Sequence, residues 1–113
     1  MVALRHKFAV IENRLDGLTP RMRLIATLRN RQLGLWAAHM MEFELDQAEE
    51  YADGIVALGL QSDGDLAIVD KLVEDFARAG TTVASEVICY EMAQRTLSAE
   101  EQLICSPDLP DAA

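Results

Sequence analysis

The chain has 113 residues, half of them hydrophobic but only 5% aromatic, with a formal net charge of −9. That length suits one compact domain plus a flexible end, its core built from Leu, Ile, Val, Met and Ala. An acidic chain without aromatic–basic interleaving argues against nucleic-acid binding, and no apolar run approaches the roughly 18–20 residues that cross a bilayer, so no membrane insertion is expected.

The acidity is uneven. Residues 1–31 carry seven basic side chains (Arg5, Lys7, Arg14, Arg21, Arg23, Arg29 and Arg31) against Glu12 and Asp16, whereas the remainder sets Lys71, Arg78 and Arg95 against seventeen acids. Such a split describes either a basic arm on an acidic body or two ends that attract each other within the fold. Arg5, His6 and Lys7 are not followed by an apolar stretch with a small-residue cleavage site, so no secretory signal is expected. Cys89 and Cys105 would lie about 24 Å apart on one continuous helix, too far for a disulfide. Both read as reduced side chains of a cytosolic protein.

In chain order, residues 2–15 form the first predicted helix. Leu4, Phe8, Ile11 and Leu15 recur at helical spacing, Arg5, Lys7 and Arg14 lie mostly off that stripe, and Gly17 is a stop. Thr19-Pro20 then starts a long second helix, with threonine as N-cap and proline at the first helical position. It is predicted to run to about Phe43 with Met22, Ile25, Leu28, Gln32, Leu35 or Trp36, His39 or Met40, and Phe43 near one stripe. Gly34 inside it costs about 1 kcal/mol relative to Ala and marks close helix approach or a local bend. His39 reads as a packed or edge residue and not as a metal ligand.

Asp46 with Glu49 resembles a capping arrangement for a third helix carrying Ala48, Tyr51, Ala52, Ile55 and Leu58 and ending at Gly59. Ser62-Asp63-Gly64-Asp65 is a polar turn without the remaining ligands of a calcium loop, and Asp65 is the expected cap of a fourth helix. That helix places Leu66, Val69, Leu72 or Val73, Phe76 and Ala79 on one face, with Asp70, Glu74 and Asp75 off it, and stops at Gly80. A last helix starts near Ser85 with Val87, Ile88, Met92, Leu97 and Leu103 as core candidates. Ser98 with Glu101 resembles a capping box, so a break near Leu97 is expected. From Ser106 onward, Pro107 and Pro110 predict a disordered tail.

No Gly-rich phosphate loop, paired-cysteine metal motif or nucleophile elbow is present, and no acid, base and nucleophile assemble. The residues point to a binding protein rather than an enzyme, with no catalytic residue and no metal site.

The run Leu28-Arg29-Asn30-Arg31-Gln32-Leu33-Gly34-Leu35-Trp36-Ala37-Ala38 closely resembles the hallmark of the zeta subunits of alphaproteobacterial ATP synthases. The likeness continues collinearly through Ala48-Glu49-Glu50-Tyr51-Ala52, Gly64-Asp65, Asp75, Gly80, Met92 and Glu101-Gln102, and covers residues 28–104. It implies a mainly structural signature in Arg29, Asn30, Leu33, Gly34, Leu35, Trp36, Ala37 and Ala38. It also implies a regulatory inhibitor that blocks ATP hydrolysis by inserting its N-terminal helix at a catalytic alpha/beta interface beside the rotor, with the alpha, beta and gamma subunits as partners. Weak ATP or ADP binding by the bundle is a further implication; no other cofactor is expected.

The fold class expected from residues and resemblance together is all-α. A small four-helix bundle over 20–105 would carry an additional basic amphipathic helix or arm over 1–19 and the tail over 106–113. Arg5, Lys7, Phe8, Ile11 and Arg14 are the expected partner contacts, made by an amphipathic helix with a basic edge. The free protein is expected to be a cytoplasmic monomer, reaching the inner membrane only peripherally through the ATP synthase. Lys7-Phe8-Ala9 resembles the family's element near the start of the inhibitory segment, but Val10-Ile11-Glu12-Asn13 replaces the acidic stretch that follows it there. The interval to Arg29-Asn30 is longer by one to two helical turns. Ala84 also stands where the family places a capping serine, so the cap moves to Ser85 or the helix start frays. The altered arm keeps open an alternative: a zeta-like paralogue that binds as an assembly or interaction module without inhibiting.

Overall fold

The computed structural model describes residues 19–104. The expectations for the first helix, its partner-contact set, Cys105 and the proline-containing tail lie outside the described residues. Within them the chain forms four α-helices, α1 (Pro20–Met40), α2 (Leu45–Gly59), α3 (Gly64–Arg78) and α4 (Ser85–Ile104). Each packs on its successor and α4 packs back on α1, closing a ring around one apolar core. Leu33, Ile55, Ile68, Leu72, Phe76 and Ile88 are its largest fully buried side chains.

The start of α1 follows its sequence signal: the Thr19 hydroxyl accepts the Met22 amide at 3.1 Å, and Pro20 occupies the first turn. Its buried face differs from the expected stripe. Asn30, Leu33, Gly34, Ala37 and Ala38 are buried, whereas Met22, His39 and Met40 are exposed and Ile25, Leu28, Gln32, Leu35, Trp36 and Phe43 are only partly covered. Large side chains hold neighbouring helices apart, so the closest contact runs along the small ones. The helix stops at Met40, short of Phe43, in a Schellman turn: Phe43 N–H donates to Ala38 C=O and Glu42 N–H to His39 C=O, both at 3.0 Å. Glu42 takes the left-handed position of that turn at φ 61°.

The expected Asp46–Glu49 cap of α2 is not formed. Glu44 is the cap residue, its carbonyl accepting the Ala48 amide at 2.8 Å, and Asp46 already lies in the first turn, where its charge suits the helix dipole. Ala48, Ala52 and Ile55 are buried, and the helix ends at Gly59 as expected. In α3 the cap position is Asp63, not Asp65, and the buried residues are Gly64, Ile68, Val69, Leu72 and Phe76. Leu66 and Ala79, expected on the core face, are exposed, while Asp75, expected off it, is largely covered. The Gly80 stop has φ 89° and completes a second Schellman turn, with Thr81 N–H on Phe76 C=O at 2.9 Å and Gly80 N–H on Ala77 C=O at 3.1 Å.

α4 begins at Ser85 with Ala84 in the cap place: the Ala84 carbonyl accepts the Val87 and Ile88 amides at 3.0 and 3.3 Å, but Ala84 has no side-chain acceptor. The Ser85 hydroxyl donates instead to the Glu86 carboxylate at 2.9 Å. No break occurs near Leu97, because burial of Ala99 and Leu103 keeps the second half in register with Ile88 and Met92. Val87 and Leu97, expected in the core, are exposed.

Candidate functional site

The signature run on α1 meets α2 and the α2–α3 turn. At Gly34 a Cβ atom would sit 2.7 Å from the Ala52 Cα, so only glycine lets the two backbones approach this closely. One turn earlier, the Asn30 side chain is packed under Gly59, and Gly59 in turn lies against the backbone of Gly64; a Cβ at either glycine would collide. The sequence folds this way because Asn30, Leu33, Gly34 and Ala37 recur at helical spacing and present a polar–small ridge instead of a bulky one.

Arg29 closes the junction from the side. Its guanidinium donates to Asp65 Oδ1 at 2.6 Å and through Nε to Asn30 Oδ1 at 3.0 Å, with only 12% of its side chain exposed. A charge-assisted pair at this depth is worth more than a surface pair. Arg31, two residues on, pairs with Asp53 at 2.9 Å, but 72% of the Asp53 side chain is in solvent. At the other end of the run, Trp36 meets Phe76 edge to face at 5.6 Å between ring centres. Leu33, Ala37 and Ala38 are fully buried and Leu35 is half-buried. The signature is therefore brought together as one ridge touching α2 and α3.

A second polar cluster joins α2 to α3. Tyr51 donates its hydroxyl to Asp75 Oδ2 at 2.6 Å, and Lys71 Nζ pairs with the same oxygen at 3.0 Å while standing 5.5 Å from the centre of the Tyr51 ring. Phe43 packs edge-on to that ring at 5.6 Å. Burial, the hydrogen bond to Asp75 and the Asp75 charge push the Tyr51 hydroxyl well above the ordinary tyrosine range. Sequence reading singled out Tyr51 and Asp75 separately and missed their pairing, because helical periodicity on each element says nothing about residues 24 apart in the chain. The same holds for Gly59 and Gly64, read as a helix stop and a turn residue.

In both clusters the polar groups pair with one another, across helices at Arg29–Asp65 and Tyr51–Asp75 and along one helix at Arg29–Asn30 and Lys71–Asp75. Among the described residues no group of three or more His, Cys, Asp or Glu side chains could hold a metal ion, and His39 is exposed. No helix among them is long and apolar enough to cross a membrane. Arg5, Lys7, Phe8, Ile11 and Arg14 lie outside the described residues.

No curated protein and no solved structure gives a significant match to the chain. The family model for ATPase inhibitor subunit zeta matches residues 19–102, from the Thr19 cap nearly to the end of α4. That match spans well over half the chain and contains the whole Arg29–Ala38 ridge with α2 and α3, so the chain belongs to the ATPase inhibitor subunit zeta family.

Proposed function

We propose that the protein is a regulatory, non-catalytic subunit that restrains ATP hydrolysis by the ATP synthase. Residues 1–19 enter a catalytic interface between an alpha and a beta subunit beside gamma, and the bundle holds that segment at the enzyme. The observation that carries this reading is the family match over the bundle. The amphipathic spacing of Leu4, Phe8, Ile11 and Leu15, edged by Arg5, Lys7 and Arg14, supports the choice of the segment. Such a segment gives up conformational entropy when it orders on its target, which keeps inhibition reversible. On this reading the protein works in the cytoplasm, peripheral to the inner membrane through the ATP synthase.

Steady-state hydrolysis by the purified catalytic head, with full-length protein and with a version lacking residues 1–19, tests the reading. Inhibition by the first and none by the second is expected; equal activity with both removes the segment from the mechanism. The alternative, binding without inhibition, is favoured by one observation: the family match begins at Thr19 and leaves the altered segment outside it. Co-purification with the head without any change in turnover would select it. Weak ATP or ADP binding by the bundle is checked separately by amide shifts on titration, and no shift at millimolar nucleotide ends that idea.

A further inference from the structure

Most of the exposed large apolar side chains, Met22, Met40, Leu45, Leu60 and Leu66, stand singly near helix ends. α4 differs. Tyr90, Leu97 and Ile104 recur at seven-residue steps and are 62%, 54% and 73% exposed. At 3.6 residues per turn they fall within about 40° of one another, on the side of the helix opposite the buried Ile88, Met92, Ala99 and Leu103. The stripe from Tyr90 to Ile104 is about 21 Å long, four turns of helix. Val87, Gln94 and Glu101 interleave with it at the alternating three- and four-residue spacing of a helix-pairing seam.

Acidic residues stand on and beside this stripe. Glu86, Glu100 and Glu101 are exposed, and none forms an ion pair among the described residues. Arg95, the sole base in α4, is tied to Glu91 at 3.4 Å. A lipid surface with anionic headgroups would be repelled by these acids. A second copy would bring the same acids and another net charge of −9 against it.

We propose that the outward face of α4 is a docking surface for a basic amphipathic helix of the ATP synthase, the bundle's own contact with the enzyme. The inference rests on the functional reading above. The partner's apolar residues lie along Tyr90, Leu97 and Ile104, its Lys or Arg side chains meet Glu86, Glu100 and Glu101, and the polar Gln94 and Glu101 positions in the seam select register.

Full-length protein titrated onto the immobilised catalytic head at low and at moderate salt tests this. Leu97→Asp is expected to weaken binding at least tenfold, and the double change Glu100→Lys with Glu101→Lys to weaken it and flatten its salt dependence. Leu66→Asp, at a similarly exposed site on α3, leaves affinity unchanged, and circular dichroism shows that all three variants keep wild-type helicity. Wild-type affinity in the α4 variants overturns the proposal while leaving the functional reading intact; a wild-type protein that does not bind the head overturns both. Concentration-dependent dimerisation lost in Leu97→Asp would give the face to a second copy. A peptide of residues 1–18 that binds the wild type but not Leu97→Asp would give it to the chain's own N-terminal segment. Either result also overturns the proposal.

Discussion

Glu42 and Gly80 occupy equivalent places in the two Schellman turns, both with positive φ, and only one of them is a glycine. A side chain in the left-handed region costs about 1–2 kcal/mol, part of which glycine returns through its looser unfolded state. Glu42→Gly is therefore expected to raise the stability read in urea denaturation by roughly 0.5–1 kcal/mol, and Gly80→Ala to lower it by about 1 kcal/mol. The Gly80 stop was legible in the sequence because glycine advertises its backbone freedom. Glu42 was not, because an exposed glutamate carries no such signal and periodicity alone does not fix where α1 ends. Arg29 and Arg31, two residues apart on α1, separate in the same way. Arg29→Ala leaves Asp65 half-covered and removes the donor to Asn30, and is expected to cost about 1–2 kcal/mol. Arg31→Ala should change the denaturation midpoint little, since an exposed pair is worth about 0.2–1 kcal/mol.

Between elements, the glycines discriminate. Gly34→Ala places its methyl 2.7 Å from the Ala52 Cα and forces α1 and α2 apart. Overpacking of this kind costs about 1–3 kcal/mol, more than the roughly 1 kcal/mol that alanine returns in helix propensity. Gly54, on the exposed side of α2, has nothing within 4 Å of its would-be Cβ. There Gly54→Ala should stabilise by about 0.5–1 kcal/mol, and thermal unfolding of the two variants is expected to shift in opposite directions. Among the described residues the helix order was readable, as were the start of α1 at Thr19-Pro20 and the stops at Gly59 and Gly80; the caps of α2 and α3 were not, because Glu44 and Asp63 stand where Asp46 and Asp65 were expected. The faces were less so. Reading α1 by its large residues selected Met22 and Met40, both half-exposed, over Gly34, Ala37 and Ala38. On α4 the pattern likewise favours Val87 and Leu97 for the core, because two apolar stripes on one helix give periodicity no way to say which faces inward.

For the molecule as a whole, the basic and acidic parts of the sequence pair within the chain, at the largely covered Arg29–Asp65 bridge and at the exposed Arg31–Asp53 bridge, so part of the apparent basic arm is internal neutralisation. Tyr51 links the fold to alkaline pH. Its hydroxyl ionises later in the folded protein than in the unfolded chain, where the value is about 10. The stability this adds is complete below pH 10 and is lost as pH rises beyond it, because the unfolded chain then releases a proton that the folded one retains. Urea midpoints measured from pH 8 to 11 should fall steeply at the top of that range, and less steeply in Tyr51→Phe, which loses about 1 kcal/mol at neutral pH.

Gly34, Ala37 and Ala38 on α1 and Ala48 and Ala52 on α2 are all buried, with Gly34 lying directly against Ala52, and so little side-chain volume stands at these positions that almost nothing can be taken away from them. Tolerance there is one-sided: nothing smaller than Gly34 exists to replace it, and any Cβ added at that position meets the Ala52 backbone at 2.7 Å rather than a neighbour able to shrink in compensation. Sequence drift in the bundle is thus channelled to its outer faces, and a saturation library selected only for folding should show these five positions nearly monochrome while Tyr90, Leu97 and Ile104 vary freely until the enzyme itself is made part of the selection.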